Sequence, residues 1–284
     1  PDFAYFSNNA FLNKAGLNPT FAFMRSIVDK KKNNYDALMD VEQAKRLVSE
    51  NLELSTPAIA NYPLSRKVLP DSVNVEKPNV VIILMESMGA GKMKRHGNPD
   101  NLTPFLDSLS YKGIYFDNFW AAGNHTYNGI FSTLFGYPCV FRQHPMKYTD
   151  LPQFSSLSYS LKQWGFETMY FTSHSAKYDN TRAFLVHNFF DRIYEEEDYP
   201  KDEIKTTWGV YDEFLFQFAI DKINKIHRNK KSFMATIMTI SDHIPYYIPE
   251  HFKQTHNNKT KDIVAYADWS LRMFFEKAKN EAWF

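Results

Sequence analysis

Glu86 and Thr126 are the two residues of this chain whose types and positions best suit chemistry on a charged ester. Glu86 follows the apolar run Val80 to Met85, which does not alternate apolar and polar residues and so predicts a parallel strand covered on both faces. In open α/β sheets, ligands bind at the carboxyl ends of such strands. Glu86 is thus placed to hold a metal ion, although a carboxylate here could instead cap a helix or pair with a base.

The segment around Thr126 predicts a strand over 114–119, a turn, and a helix that begins near Thr126. A hydroxyl at a helix N-terminus faces unpaired backbone N–H groups and the positive end of the helix dipole, which favours phosphate or sulfate esters. A hydroxyl is a weak nucleophile, and a coordinated metal ion activates it by favouring the alkoxide. We therefore predict Thr126 as the nucleophile; a helix N-cap without a catalytic role is the alternative.

The strands and helices that must position Glu86 and Thr126 alternate along the chain. The pattern predicts strands at 80–84, 114–119, 167–171 and 233–240, and helices at 37–48, 103–110, from 126 onward, 156–164, 181–186, 210–226 and 263–279. Such alternation predicts an α/β fold with a mainly parallel central sheet and helices on both faces.

Composition and charge exclude several classes of protein. The formal net charge is +1, with 33 basic and 32 acidic residues interspersed, so the chain lacks the basic face of a nucleic-acid binder. Cys139 is the single cysteine, which excludes an intrachain disulfide and a thiolate-rich metal site. No stretch approaches the roughly 20 apolar residues of a membrane helix, and the first residues lack the pattern of a signal peptide.

Four segments in order carry a family resemblance: 79–87, 101–109, 113–116 and 123–129. Together they resemble the lipoteichoic acid synthase-like branch of the alkaline phosphatase and sulfatase superfamily. The similarity continues more loosely through 179–182, 208–212 and 241–245. The resemblance implies an alkaline phosphatase/sulfatase-like sandwich, truncated at its C-terminus.

The resemblance also implies roles for individual residues. It makes Thr126 the nucleophile and a metal ligand together with Glu86, and it makes Arg182 and His243 contacts to the substrate anion. Oxygen ligands suit Mg²⁺ or Mn²⁺. The remaining ligands, an Asp-His pair in the family, are expected beyond Phe284. A surface salt bridge for Arg182 and a structural role for His243 remain open.

By the same resemblance, residues 1–77 are expected to form a helical leader and linker after membrane helices that have been removed, and residues 78–284 a sulfatase-like catalytic domain without its C-terminal part. This predicts a protein anchored in a bacterial cell membrane, with its catalytic domain on the extracytoplasmic side.

The predicted function is metal-dependent transfer or hydrolysis of a phosphate or sulfate ester, with a lipid- or glycan-linked substrate. A transferase would pass the group from Thr126 to a second hydroxyl, and a hydrolase would pass it to water. An incomplete ligand set would leave the 284-residue chain itself inactive. The alternative from another class is a catalytically inactive anion-binding module of the same fold.

Overall fold

The structure, a computed structural model, describes residues 6–9, 12–13, 16–21, 23–24, 27, 39–54, 77–139, 144–148 and 150–284. The chain divides into two compact units, residues 18–77 and residues 1–17 with 78–284. In the first unit, helix α1 spans Val41–Asn51, and the Asp40 side chain caps it by accepting from the backbone N–H of Gln43. Most of the predicted leader and linker lies outside the described residues.

The second unit contains a four-stranded parallel sheet in the order β1-β4-β2-β3. The strands are β1 (Val80–Leu84), β2 (Glu167–Thr172), β3 (Arg192–Tyr194) and β4 (Phe233–Met238). Leu84 and Thr172 both pair with Met238, so three strands end at the same level. The loops after β1, β2 and β4 therefore meet at one edge of the sheet.

Helices cover both faces of this sheet. They are α2 (Pro104–Leu109), α3 (Thr126–Phe135), α4 (Leu157–Gln163), α5 (Thr181–His187), α6 (Asp212–Arg228) and α7 (Lys259–Ala278). Short 3₁₀ turns lie between them, among them Ala90–Lys92 after β1 and Tyr178–Asn180 after β2. The predicted α/β fold with helices on both faces is confirmed.

The sheet separates two apolar cores because successive side chains of a strand point to opposite faces. On one face, Phe171 and Ile237 pack with α6 and α7. On the other, Tyr170 and Met238 pack with α3, α4 and α5. β2 and β4 are buried along their whole length. β4 is apolar except for Thr236, whereas β2 also contains Glu167, Thr168 and Thr172.

The segment 114–119 is not a strand, contrary to the sequence-based prediction. Ile114, Phe116 and Phe119 are 90%, 70% and 79% exposed, and no described strand pairs with them. A β-branched and aromatic run forms a strand only where a neighbouring strand accepts its backbone hydrogen bonds. The short strand β3 was not predicted, because its three residues, Arg192–Tyr194, are too few to show a period.

Among the described residues, no helix is both long enough and apolar enough to cross a membrane.

Candidate active site

Glu86 and Thr126 meet at the carboxyl edge of the sheet, although forty positions separate them in the chain. The Thr126 hydroxyl donates a hydrogen bond to Glu86, with 3.0 Å between Oγ1 and Oε2. Both side chains are half-buried, so they are accessible to a ligand from one side. The expected juxtaposition of these two residues is therefore present.

The backbone around Glu86 is fixed by its neighbours. The N–H of Glu86 donates to Thr239 Oγ1 at 3.0 Å, which ties the end of β1 to the end of β4. The Ser87 hydroxyl donates to Glu86 Oε1 at 2.9 Å, and Ser87 itself has a φ of +53°. One carboxylate oxygen is thus held by Ser87 and the other by Thr126, so the carboxylate has a defined orientation.

Thr126 owes its position to the start of α3. His125 is the N-cap residue and Thr126 the first helical residue, so the hydroxyl stands at the positive end of the helix dipole. The N–H of His125 donates to Asn128 Oδ1 at 3.1 Å, which stabilises the first turn. Further along the helix, Ile130 and Leu134 are buried in the core and anchor α3 against the sheet.

Glu86 and Thr126 line an open cavity of about 550 Å³. Its other walls include the loop 119–125 and the exposed face of α3 at Ser132 and Thr133. A volume of this size lies within the range of small-molecule sites. The aromatic side chain of Trp120, which is 82% exposed, stands at this wall.

His243 lies on the other side of Thr126, in a narrow pocket that Thr126 also lines. The Trp208 ring packs edge-on against the His243 ring, with 4.2 Å between the ring centroids. The Trp208 indole donates to Ile244 O at 3.1 Å, and His243 Nδ1 lies 2.8 Å from the same oxygen. His174 faces Trp208 at 5.8 Å, and burial lowers the pKa of His174, which favours its neutral form.

Gly209 allows Trp208 to approach the end of β2. Its φ is +82°, and a Cβ atom at this position would lie 1.8 Å from Ser173 O. Both the backbone conformation and the lack of space therefore require glycine. The N–H of Val210 donates to the same oxygen of Ser173 at 3.3 Å, which fixes the loop there.

A lysine next to Glu86 was not singled out from the sequence. Lys92 donates to Ser87 O at 2.8 Å and forms an ion pair with Asp242. Burial raises the pKa of Asp242, and the Lys92 ammonium acts against that shift. Lys92 thus joins the loop after β1 to the loop after β4 and neutralises a buried carboxylate.

A second buried carboxylate, Asp212, caps the loop before His243. It accepts from the backbone N–H of Ile240 at 2.8 Å and of Ser241 at 3.3 Å. Burial nevertheless raises the pKa of Asp212. Asp212 lies in the segment 208–212 that carried the family resemblance. A carboxylate is needed at this position because it accepts the backbone hydrogen bonds of the loop before His243.

Arg182 does not reach either of these pockets. It forms an ion pair with Glu195, whose side chain is 1% exposed, and its Nε donates to Asn8 Oδ1 at 2.9 Å. It lines a separate cleft with Lys177 and Glu197. The expected convergence of Arg182 and His243 on one pocket is therefore not found, because the buried carboxylate holds the guanidinium.

Asp179, from the same loop, does line the pocket of Thr126 and His243. Burial acts to raise the pKa of Asp179, but His144 and Lys147 outweigh it and bring the pKa to about 2. Asp179 forms an ion pair with Lys147 and lies 3.3 Å from His144 Nε2. The carboxylate therefore stays ionised at neutral pH.

The fit of a divalent metal ion rests on the two oxygens of Glu86 and Thr126. Two oxygen ligands at about 2.1 Å and at right angles around Mg²⁺ are separated by about 3 Å. The 3.0 Å between Thr126 Oγ1 and Glu86 Oε2 matches that spacing. Within the described part of the chain, no group of three or more His, Cys, Asp or Glu residues is arranged to hold a metal.

The relatives of this chain include a lipoteichoic acid synthase-like protein and a phosphoglycerol transferase. The chain is 25% identical over 252 residues to lipoteichoic acid synthase-like YvgJ of Bacillus subtilis, covering 81% of this chain and 39% of the relative. It is 24% identical over 270 residues to phosphoglycerol transferase I of Escherichia coli, covering 88% of this chain and 34% of the relative. The chain thus spans less than half the length of these two relatives.

A solved structure shows the same fold. It is a protein in the alkaline phosphatase superfamily from Vibrio parahaemolyticus, with a TM-score of 0.77 and 29% identity. The match covers 86% of this chain and 60% of that structure. The Sulfatase family model matches residues 78–283, which contain the sheet, Glu86, Thr126 and His243. The chain therefore belongs to the Sulfatase family, within the alkaline phosphatase superfamily and close to its lipoteichoic acid synthase-like members.

Proposed function

We propose that this chain carries the catalytic site of an enzyme that transfers or hydrolyses phosphate or sulfate esters, with Thr126 as the nucleophile. The observation that supports this most directly is the 3.0 Å hydrogen bond from Thr126 Oγ1 to Glu86 Oε2 beside an open cavity. Family membership supports the general chemistry, since the relatives include a phosphoglycerol transferase. The nucleophile and its residue partners are inferred for this chain.

The reaction proceeds in two displacements. Thr126 gives up its hydroxyl proton, and Glu86 Oε2, which already accepts the hydrogen bond from this hydroxyl, is a proton acceptor within reach. A bond forms between Thr126 Oγ1 and the phosphorus or sulfur atom, the bond to the leaving oxygen breaks, and that oxygen takes the proton that Thr126 gave up and departs as an alcohol. The oxygen of an acceptor hydroxyl or of water then bonds to the phosphorus or sulfur atom, the bond to Thr126 Oγ1 breaks, and the acceptor's proton returns to Oγ1.

A divalent cation completes the site in this proposal. Glu86 and Thr126 would hold it, with Mn²⁺ or Mg²⁺ as the ions that best suit oxygen ligands. When bound, such an ion favours the alkoxide form of a coordinated hydroxyl and neutralises charge on the ester. Further ligands are required, and we propose that they lie outside the described residues.

His243 is the proposed substrate contact on the opposite side of Thr126. Its Nδ1 lies 2.8 Å from Ile244 O, so an N–H group at Nδ1 can donate to that carbonyl, and the Trp208 ring packs edge-on against the imidazole. Lys92 carries positive charge near Glu86, but its ammonium pairs with Asp242. We therefore propose that Lys92 positions the loops after β1 and β4 and does not contact the substrate. We do not assign Arg182 to the substrate, because Glu195 holds it elsewhere.

The wider setting is also proposed from the relatives. We infer that residues 78–284 belong to the catalytic domain and residues 1–77 to a leader that connects it to a membrane anchor. The domain would then act on the extracytoplasmic side of a bacterial cell membrane, on esters linked to lipids or glycans.

The test is to trap the covalent adduct. The protein is incubated with Mn²⁺ and either p-nitrophenyl phosphate or p-nitrophenyl sulfate, quenched in acid, digested and mapped by mass spectrometry. We expect an adduct of one phosphoryl or sulfuryl group on the Thr126 peptide, and none in Thr126→Ala. An adduct on another residue would overturn the assignment, and no adduct would favour the inactive anion-binding module.

A further inference from the structure

An N-terminal turn of this chain packs against the segment 178–182, at the start of α5. We give the name N-terminal turn to the described residues 6–9 and 12–13, which belong to the same compact unit as the sheet. The Asn13 side chain accepts from the N–H of Ser7 at 2.7 Å and donates to Ser7 O at 2.7 Å, so it holds the two ends of the turn together. Asn13 is 1% exposed, and it also donates to Asn180 Oδ1 at 3.2 Å.

Asn180 connects this turn to the segment 178–182. Its buried side chain accepts from Asn13 and donates to Met146 O at 2.7 Å, so both ends of the amide are occupied. The backbone at Asp179 and Asn180 is left-handed, with φ of +55° and +60°. Two successive left-handed residues other than glycine cost energy and persist only where their surroundings hold them. The bond from Asn13 is therefore one of the contacts that hold this conformation.

A second contact joins the turn to Arg182. Its Nε donates to Asn8 Oδ1 at 2.9 Å, while its guanidinium also pairs with the buried Glu195. Residues 6–8 form one wall of the cleft that Arg182 lines. The turn thus holds the segment 178–182 at two points, a buried amide and a guanidinium.

The other side of the same segment lines the pocket that Thr126 and His243 share. Asp179 and Thr181 line this pocket, whereas Lys147, the ionic partner of Asp179, is not among its described lining residues. The segment therefore presents a carboxylate next to the proposed nucleophile and keeps its guanidinium at the separate cleft. A carboxylate in this place disfavours a phosphate or sulfate group, because like charges repel at short range.

We propose that the N-terminal turn is an autoinhibitory latch: while it is bound, Asp179 stays in the pocket of Thr126, and its release lets the segment 178–182 move and admits an anionic ester. This inference rests on the proposed function, because it concerns access to the same pocket. The position of the segment can be measured without turnover, so the latch and the proposed nucleophile can fail separately.

Amide hydrogen exchange of the intact chain, followed by mass spectrometry, tests whether the turn holds the segment 178–182. Three backbone N–H groups of this segment donate to carbonyl oxygens at 2.8 to 3.1 Å, so their exchange reports its opening. Asn13→Ala should raise the exchange rate of the segment about threefold or more. Asn18→Ala is the matched control, because this exposed asparagine accepts from the N–H of Phe21, and it should leave the rate unchanged.

Binding of inorganic phosphate tests whether the latch controls the pocket. The probe is titrated at constant ionic strength and followed by NMR of the His243 ring signals, which are assigned with His243→Gln. Asn13→Ala should bind phosphate roughly threefold to tenfold more tightly than wild type, since one nearby charge changes affinity by about that factor in a hydrated site. Asp179→Asn, which removes the carboxylate charge, should do the same, and Asn18→Ala should bind as wild type.

Two outcomes would overturn the latch. The first is unchanged exchange of the segment 178–182 in Asn13→Ala. The second is faster exchange with wild-type phosphate affinity in Asn13→Ala, while Asp179→Asn binds more tightly, because the turn would then not control the position of Asp179.

Two further results keep the test decisive. If Asn13→Ala fails to fold, Asn8→Ala at an exposed position replaces it and should raise the exchange rate about twofold, since only the contact to Arg182 is lost. Phosphate that binds to no variant, Asp179→Asn included, would contradict the proposed function and the admission of an ester. The exchange result would still decide whether the turn holds the segment 178–182.

Discussion

Two carboxylates of this domain, Glu86 and Glu195, each bind one side chain that the sequence suggested for anion chemistry, but their settings differ. Glu86 is half-buried beside an open cavity and accepts from the neutral hydroxyl of Thr126. Glu195 is 1% exposed and pairs with the charged Arg182. An ion pair with a buried carboxylate fixes both partners, because either charge left alone would be costly.

The comparison shows that residue type alone did not determine role. A guanidinium is a strong ligand for phosphate only when no carboxylate of the protein already holds it. Thr126 and its partner Glu86 both line the open cavity, so a ligand there can contact them. Arg182 instead pairs with the buried Glu195. We therefore expect substitutions at the two places to affect different properties.

The largest effect is expected from Thr126→Ala. Loss of the proposed nucleophile should reduce turnover roughly 10⁴-fold or more. Stability should fall by only about 1 kcal/mol, because one hydrogen bond is lost at a half-buried position. Steady-state kinetics measures the turnover, and thermal unfolding measures the stability. Thr133→Ala, on the same helix and lining the same cavity, is the matched control and should retain activity.

The second largest effect is expected from Glu86→Gln. The amide keeps the shape and can still accept from Thr126, but it loses the charge that a divalent cation requires. We expect Mn²⁺ affinity to fall roughly 100-fold or more, measured by calorimetry. Ser87→Ala, which removes only the hydrogen bond to Glu86 Oε1, should change affinity much less. Similar affinities in wild type and Glu86→Gln would remove Glu86 from the ligand set.

Arg182→Ala should affect stability more than catalysis. The change leaves Glu195 buried without its ionic partner, which should cost about 3 kcal/mol in denaturant unfolding. Arg182→Ala combined with Glu195→Gln should recover part of that loss, since the buried charge is then gone. A raised KM without loss of stability would show instead that Arg182 contacts substrate.

The smallest effect is expected from the titration of Asp179. Its pKa is about 2 in the folded protein, below the ordinary value of 3.8, so ionised Asp179 stabilises the fold at pH above about 4. This contribution, about 2 kcal/mol, should be lost as the pH falls from about 4 to 2. Urea unfolding at several pH values measures it. Asp179→Asn should be less stable at neutral pH and should show a flatter dependence in that window.

Part of the fold followed from sequence pattern, because the apolar sequences of β1 and of most of β4 indicate parallel strands packed between helices. β1 was predicted at its observed bounds, and the helix that begins at Thr126 was predicted from its start. The segment 114–119 begins with the β-branched and aromatic residues Ile114 to Phe116 but then contains Asp117 and Asn118, and no described strand pairs with it. Strand formation depends on such a partner, and the local sequence does not contain that information.

The juxtaposition of Glu86 and Thr126 was predictable in part. Glu86 follows β1 as predicted, whereas the strand predicted before Thr126 is absent, and the start of α3 brings its hydroxyl to this edge of the sheet. The ion pairs of Lys92 with Asp242 and of Arg182 with Glu195 join loops far apart in the chain. Without the fold, no local pattern tells which carboxylate a given basic side chain will meet.

The central claim, that Glu86 and Thr126 share a divalent cation, is tested most directly by anomalous diffraction from a crystal of this protein soaked in Mn²⁺. We predict a manganese peak within about 2.0–2.4 Å of both Glu86 Oε2 and Thr126 Oγ1, with partial occupancy because further ligands are needed. A well-occupied manganese peak elsewhere in the domain, with the hydrogen bond between Thr126 and Glu86 intact, would contradict the assignment.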